Sequence, residues 1–179
     1  NEVMNLLGLN MHVSLAGVIG DDDSGRKLTA RLEGEKRLDQ TGIIRESGRR
    51  TTEKIRIIGN HQQIARVDKE ERKGFSEKTF QEMKASILSQ IKDVSAVILS
   101  DYGKGVISKK LISFILGLRK RFDFIVTVDP KVGHFFLYKG VDLITPNNKE
   151  ASEAAGIRIM DSKTLKLAAQ KIVKRLGCK

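Results

Sequence analysis

Short apolar, β-branched stretches alternate with amphipathic helical segments through the second half of the chain, and this alternation limits the fold more than any other feature. Residues 94–99, 124–128 and 141–145 are each brief and rich in Val, Ile and Leu. Ahead of the first, Ser76 can cap a helix whose Phe80, Met83, Ile87 and Ile91 fall on one stripe, spaced 3, 4 and 4. Ser108 can cap the next, with Leu111, Ile112, Ile115 and Leu118 inward. A short helix after 145 is expected to close near Gly156. Asp161 or Ser162 opens a last helix, with Leu165, Ala168 or Ala169, Ile172 and Leu176 inward. Apolar strands separated by helices predict an α/β fold with a parallel sheet covered on both faces.

The first half reads differently. Residues 11–19 form an apolar strand that ends at Gly20 and runs into Asp21-Asp22-Asp23, a solvated turn capping a helix expected over 24–37. Two later stretches, 53–58 and 62–68, are joined by Gly59-Asn60-His61 and read as a β-hairpin with Gly or Asn supplying the turn. A hairpin inserted early in a mostly parallel chain is expected to stand off the main sheet as a lid or dimer contact.

Composition removes several classes of function. One cysteine, Cys178, excludes an intramolecular disulfide and any CxxC zinc site, and it fits a reducing cytoplasm. No apolar run approaches the roughly 20 residues of a membrane helix. Thirty-three Lys and Arg against 22 Asp and Glu give +11, a field that favours polyanions. Aromatic residues are only 5% and no nucleic-acid-binding motif accompanies the charge, so phosphorylated small molecules are the preferred partners over nucleic acid. His12, His61 and His134 are scattered without metal spacing and are read as structural.

Chemistry collects where the three later strands end. The first runs into Ser100-Asp101-Tyr102-Gly103-Lys104-Gly105, the second into Asp129-Pro130-Lys131 and the third into Pro146-Asn147-Asn148-Lys149-Glu150. Ligands of open α/β sheets sit outside the carboxyl ends of the strands, so these tips are expected to share a crevice. Gly103 and Gly105 let the backbone approach an anion, Lys104 supplies a point charge, and Asp101 can accept hydrogen bonds from hydroxyls. Asn147-x-x-Glu150 opens a helix whose N–H groups favour phosphate oxygens, and Glu150 can hold magnesium through water. The same spacing equally suits an N-cap Asn with a first-turn Glu, and polar strand ends are also ordinary turn formers.

Seven runs together resemble the ribokinase-like (PfkB) sugar kinases. They are Asn1-x-x-Met4-Asn5-Leu6, Val18-Ile19-Gly20-Asp21-Asp22, Thr52-x-Lys54-x-Arg56, Gln62-Gln63-x-x-Arg66-x-Asp68, Leu99-Ser100-Asp101-Tyr102-x-Lys104-Gly105, Val128-Asp129-Pro130-Lys131 and Thr145-Pro146-Asn147-x-x-Glu150. Within that family the chain is similar to the D-glycero-β-D-manno-heptose-7-phosphate kinases, the kinase half of bifunctional ADP-heptose synthesis enzymes. The Gln-Gln-x-x-Arg-x-Asp and Ser-Asp-Tyr-x-Lys-Gly runs are the most specific.

The resemblance implies a three-layer α/β sandwich with a mostly parallel sheet and a small β lid, incomplete at both ends. Residues 1–179 would be a partial kinase domain, with 43–68 as the lid and dimerisation insertion of a homodimer. It implies ATP-dependent phosphorylation of heptose 7-phosphate at the anomeric oxygen, with Mg2+, for the lipopolysaccharide core. Asn147, Asn148, Lys149 and Glu150 would bind nucleotide, and Asp101, Lys104, Gln63 and Arg66 the sugar phosphate. The family's Gly-Gly stretch is expected before Asn1 and its Gly-Ala-Gly-Asp base and anion hole after Lys179, so these residues alone are expected not to turn over. The alternatives are another kinase of the family, adenosine or phosphofructokinase-like, and a non-catalytic sugar-phosphate-binding module.

Overall fold

The computed structural model describes residues 2–178. Asn1, which opens the first of the seven runs, and Lys179 lie outside the described residues. Contacts divide the chain into two compact units, one ending at Ile91 and the other beginning at Lys92.

In the first unit, helix α1 (Glu2–Gly8) packs on strand β1 (Val13–Gly20), which pairs in parallel with β2 (Leu38–Glu46) across helix α2 (Asp23–Leu32). The helix expected over 24–37 therefore stops early. Its cap falls at Glu33, and Gly34 at φ +90° takes the chain into a region closed to a further helical turn. Strand β2 was not foreseen. Its pairing with β1 shifts between Ser14 and Ala16, and Asp39 Oδ1 accepts both the backbone N–H (2.8 Å) and the hydroxyl (2.7 Å) of Thr41. This bulge breaks the two-residue alternation by which a strand is read. Helix α3 (Glu77–Gln90) packs on β1 and β2 and buries Phe80 and Met83; its cap is Ser76, whose hydroxyl accepts the Thr79 N–H at 3.2 Å.

Strands β3 (Glu53–Gly59) and β4 (Gln62–Lys69) form the expected antiparallel hairpin as a separate two-stranded sheet. The turn is Asn60-His61, at φ 48° and 62°, so Asn and His hold the left-handed positions while Gly59 pairs with Gln62 in the ladder. Residues 43–46, included in the insertion on sequence grounds, form the end of β2 instead.

In the second unit β5 (Ala96–Ser100), β6 (Ile125–Asp129) and β7 (Leu143–Ile144) form a parallel sheet in the order β5-β6-β7. Helix α4 (Lys109–Leu118) buries Leu111, Ile112, Ile115 and Leu118 under its Ser108 cap, as its stripe predicts. Helices α5 (Asn148–Ala155) and α6 (Ser162–Leu176) pack on each other. Gly156 closes α5 in the left-handed conformation, and Asp161 caps α6.

Two expectations need correction. Along α6 the buried residues are Ala168, Ile172 and Leu176, whereas Leu165 is 45% exposed, displaced from that stripe. The sheet is covered on one face only among the described residues: Leu99, Val126, Val128 and Ile144 are buried, but Ile98 and Leu143 are each 43% exposed and Ile125 54%. Ile98, Thr127 and Leu143 lie in one cross-strand row, so the open residues share a face.

Candidate functional site

The parallel order β5-β6-β7 brings the three chemistry-bearing tips to one edge of one sheet, with the tip of β6 in the middle. The ladder extends past the strands at this edge. Asp101 N–H donates to the Asp129 carbonyl at 3.0 Å, and Thr145 N–H to the Val128 carbonyl at 3.0 Å.

Asp101 organises the edge from inside. Its side chain is 1% exposed, and both oxygens are committed to the protein. Oδ1 accepts the Gly103 N–H at 2.7 Å. Oδ2 accepts the Tyr138 hydroxyl at 2.7 Å and lies 2.8 Å from His134 Nδ1, which donates in the tautomer carrying its hydrogen there. The Tyr138 oxygen in turn accepts the Lys131 N–H at 3.1 Å. Burial, reinforced by Asp101 and Asp129 nearby, pushes the Tyr138 phenol well above its ordinary range, so it remains a donor. Asp101 was expected to meet substrate hydroxyls; the structure turns it inward, where it fixes the loop that follows.

That loop has the conformation its glycines permit. Gly103 and Gly105 stand at φ 65° and 82°, on either side of Lys104. A Cβ added to Gly103 would lie 3.4 Å from Cγ of Lys131 and within 3.8 Å of its Cε and Cδ, so the Lys131 stem runs across the loop. His134, read as structural, is a partner in the buried cluster. Its signal was invisible in the sequence because Asp101 stands 33 residues away.

At the third tip Asn147 Oδ1 accepts the N–H groups of Lys149 and Glu150, each at 3.0 Å, and Glu150 Oε2 accepts the Asn147 N–H at 2.9 Å. This is the reciprocal capping box that the spacing allowed as its structural alternative. Glu150 keeps its other oxygen outside the box. Asn148 and Lys149 are exposed in the first turn.

Gln63 and Arg66 belong to the first unit, on β4. Both are exposed, and Arg66 Nε pairs with Asp68 at 2.9 Å. Arg66 stands directly opposite Arg56 across the hairpin. Like charges facing each other on one sheet cost stability, so an anion between them would be favoured. Sequence reasoning quoted Arg56 in a motif but gave it no role.

The carboxyl end of β1 is a second built turn. Asp22 accepts the Gly25 N–H at 2.8 Å and the Thr51 N–H at 2.8 Å, while Gly20 N–H donates to the Thr51 hydroxyl at 2.9 Å. The Thr51 bonds, first the backbone one, hold the Asp22 carboxyl below its usual range. The acidic run thus contains a structural cap as well as exposed charge.

The bifunctional protein HldE of Wolinella succinogenes is 43% identical over 170 residues, covering 95% of this chain and 36% of its own length. That of Campylobacter curvus is 39% identical over 181 residues, covering 100% and 38%. The chain thus spans little more than a third of the curated relatives it matches. Among solved structures, ribokinase from Giardia lamblia superimposes with a TM-score of 0.71 at 15% identity, over 94% of this chain and 52% of that one. Ribokinase from Arabidopsis thaliana, solved with ribose and ATP, gives 0.67 at 15% identity, over 93% and 53%. The fold is therefore ribokinase-like. Residues 1–177 match the model of the pfkB family carbohydrate kinases, and the chain belongs to that family.

Proposed function

We propose that this chain works in a kinase that transfers a phosphoryl group from ATP to the anomeric hydroxyl of D-glycero-D-manno-heptose 7-phosphate, a step toward ADP-heptose and the lipopolysaccharide core. The observation that carries the reading is the single sheet edge where a glycine-flanked lysine and a capped helix N-terminus stand on either side of the β6 tip. Phosphoryl transfer asks the protein chiefly for positioning and for charge around the transferred group. The Gln62-Gln63-x-x-Arg66-x-Asp68 and Ser100-Asp101-Tyr102-x-Lys104-Gly105 runs, together with the relatives named HldE, support the heptose phosphate as acceptor.

In this reading Asn147, Asn148, Lys149 and Glu150 take the nucleotide at the start of α5, where backbone N–H groups and the helix dipole favour phosphate oxygens. In the second unit Lys104 is proposed for the sugar phosphate, on the loop that Asp101 shapes; in the first unit Gln63 and Arg66 are proposed, on the hairpin alone, as sugar-phosphate contacts. Magnesium, when bound, neutralises charge on the nucleotide phosphates. Glu150 offers one carboxylate oxygen outside its cap, which fits an ion that keeps most of its own water. Among the described residues no group of three or more His, Cys, Asp or Glu could hold a metal.

The test is ATP consumption by the full-length protein with candidate acceptors. Turnover is expected with heptose 7-phosphate and only background with ribose or fructose 6-phosphate. Turnover on either of the latter alone would reassign the acceptor.

The hairpin is proposed as the contact of a homodimer. Ile55, Ile57 and Val67 are 37%, 47% and 45% exposed, and Ile55 pairs with Val67. Residues two apart on a strand share a face, so these three form one apolar surface. Ile57→Lys is expected to shift the protein from dimer to monomer in sedimentation velocity. A variant that sediments as the wild type would remove the hairpin from the interface. A cytoplasmic reaction fits the single cysteine and the use of ATP, and no helix among the described residues is long and apolar enough to cross a membrane.

A further inference from the structure

We propose that Lys131 binds the phosphate of the acceptor sugar, as a second lysine beside Lys104; the proposal rests on the kinase reading above and deepens it. Three observations converge on this residue. Its backbone is fixed from inside, because Lys131 N–H donates to the buried Tyr138 oxygen, which itself donates to Asp101. The turn behind it is closed by the His134 N–H on the Lys131 carbonyl at 3.0 Å, and the His134 ring returns to Asp101. Its side chain is directed as well: Cγ, Cδ and Cε lie across Gly103, at 3.4–3.8 Å from where a Cβ would stand, which is ordinary van der Waals contact.

The result is a long flexible residue whose root and stem are both ordered while its surface remains exposed. Ordering a lysine stem costs side-chain entropy, which a solvated surface lysine does not lose. A lysine stem laid on a glycine loop carries its charge beside backbone that can itself approach an anion.

Direction decides which anion. Lys131 follows the tip of the middle strand, between the β5 tip assigned to the sugar and the β7 tip assigned to the nucleotide. Its stem leans on Gly103, the β5 side. The acceptor's phosphate is therefore its ligand, and the nucleotide is not.

Steady-state kinetics of the full-length protein, wild type and Lys131→Met, test this with heptose 7-phosphate and with the same heptose lacking its phosphate. Methionine keeps the stem over Gly103 and removes the charge. The KM for the phosphorylated sugar is expected to rise roughly tenfold or more, the size of one lost charge-assisted contact. The KM for ATP and the weak use of unphosphorylated heptose should stay within about twofold, and Lys131→Arg should recover part of the loss. A rise in the KM for ATP alone, a fall in kcat alone, or no change in either KM would overturn the assignment. Should the wild type use no sugar phosphate, the kinase reading fails by itself. Lys131 is then judged by titration with inorganic phosphate, where equal affinity of wild type and Lys131→Met overturns the proposal and a clear loss in the variant supports an anion site.

Discussion

Asp101→Ala is expected to lower folding stability by about 3–5 kcal/mol, the range for breaking a buried charged network by removing one partner. The substitution strips the Gly103 N–H, the Tyr138 hydroxyl and the His134 ring of their shared acceptor at once. The Tyr138 hydroxyl is the hardest to rehydrate, since Tyr138 is wholly buried and the Asp101 side chain fills a site that is 1% exposed, whereas Gly103 and His134 are half-buried. At a few degrees per kcal/mol for a domain of this size, the melting temperature should fall by roughly 10 °C. Tyr138→Phe removes one donor to Asp101 and the acceptor of the Lys131 N–H, and leaves the Gly103 and His134 bonds to Asp101 intact, so its cost should be nearer about 2–3 kcal/mol. Equilibrium urea unfolding of the two variants separates the cases. A loss below about 1 kcal/mol for Asp101→Ala would mean that the loop stands without this residue, and Asp101 would return to consideration as a direct sugar ligand.

The second large effect falls in the other unit. A methyl group on Gly20 would overlap the carbonyl oxygen of Arg49 and stand 3.0 Å from Asp22 Oδ2. Neither neighbour can retreat cheaply. The first is backbone, and Asp22 is pinned by the Gly25 and Thr51 N–H groups. Gly20→Ala is therefore expected to cost about 3 kcal/mol, at the upper end of overpacking penalties. Gly8→Ala is the matched control, because a Cβ there meets nothing within 4 Å; its effect should stay within about 0.5 kcal/mol. Thermal melts of both variants check the contrast, and equal melting temperatures would show that the turn after β1 yields to accommodate the methyl group.

What could be read beforehand follows from how local each signal is. Helices α3, α4 and α5 were legible because cap and stripe lie within one short window: Ser76 before Phe80 and Met83, Ser108 before Leu111 to Leu118, Asn147 through Gly156. Strand β2 was not, since the Asp39–Thr41 bonds insert a bulge where alternation should run. Leu165 was placed inward by spacing alone, but the burial of α6 is set by the helix it meets. The sheet edge itself was legible from three similar strand endings. The direction of Asp101 was not, because its partners Tyr138 and His134 stand 37 and 33 residues further on. For Asn147 and Glu150 the spacing admitted two uses, and the capping box realises one while leaving an oxygen of Glu150 for the other.

The division of contacts at Ile91 and Lys92 bears on how the chain acquires its structure. Among the described residues every strand pairing closes within one half: β1 with β2, β3 with β4, β5 with β6 and β6 with β7. A chain leaving the ribosome can complete its first parallel pair and its hairpin before the segment from Lys92 onward has been translated. Loop closures stay short, which favours rapid assembly of each half. The exposed isoleucines of the hairpin are then an apolar surface on show during synthesis, and Arg56, Arg66 and Lys54 on the same ribbon keep it charged against premature association.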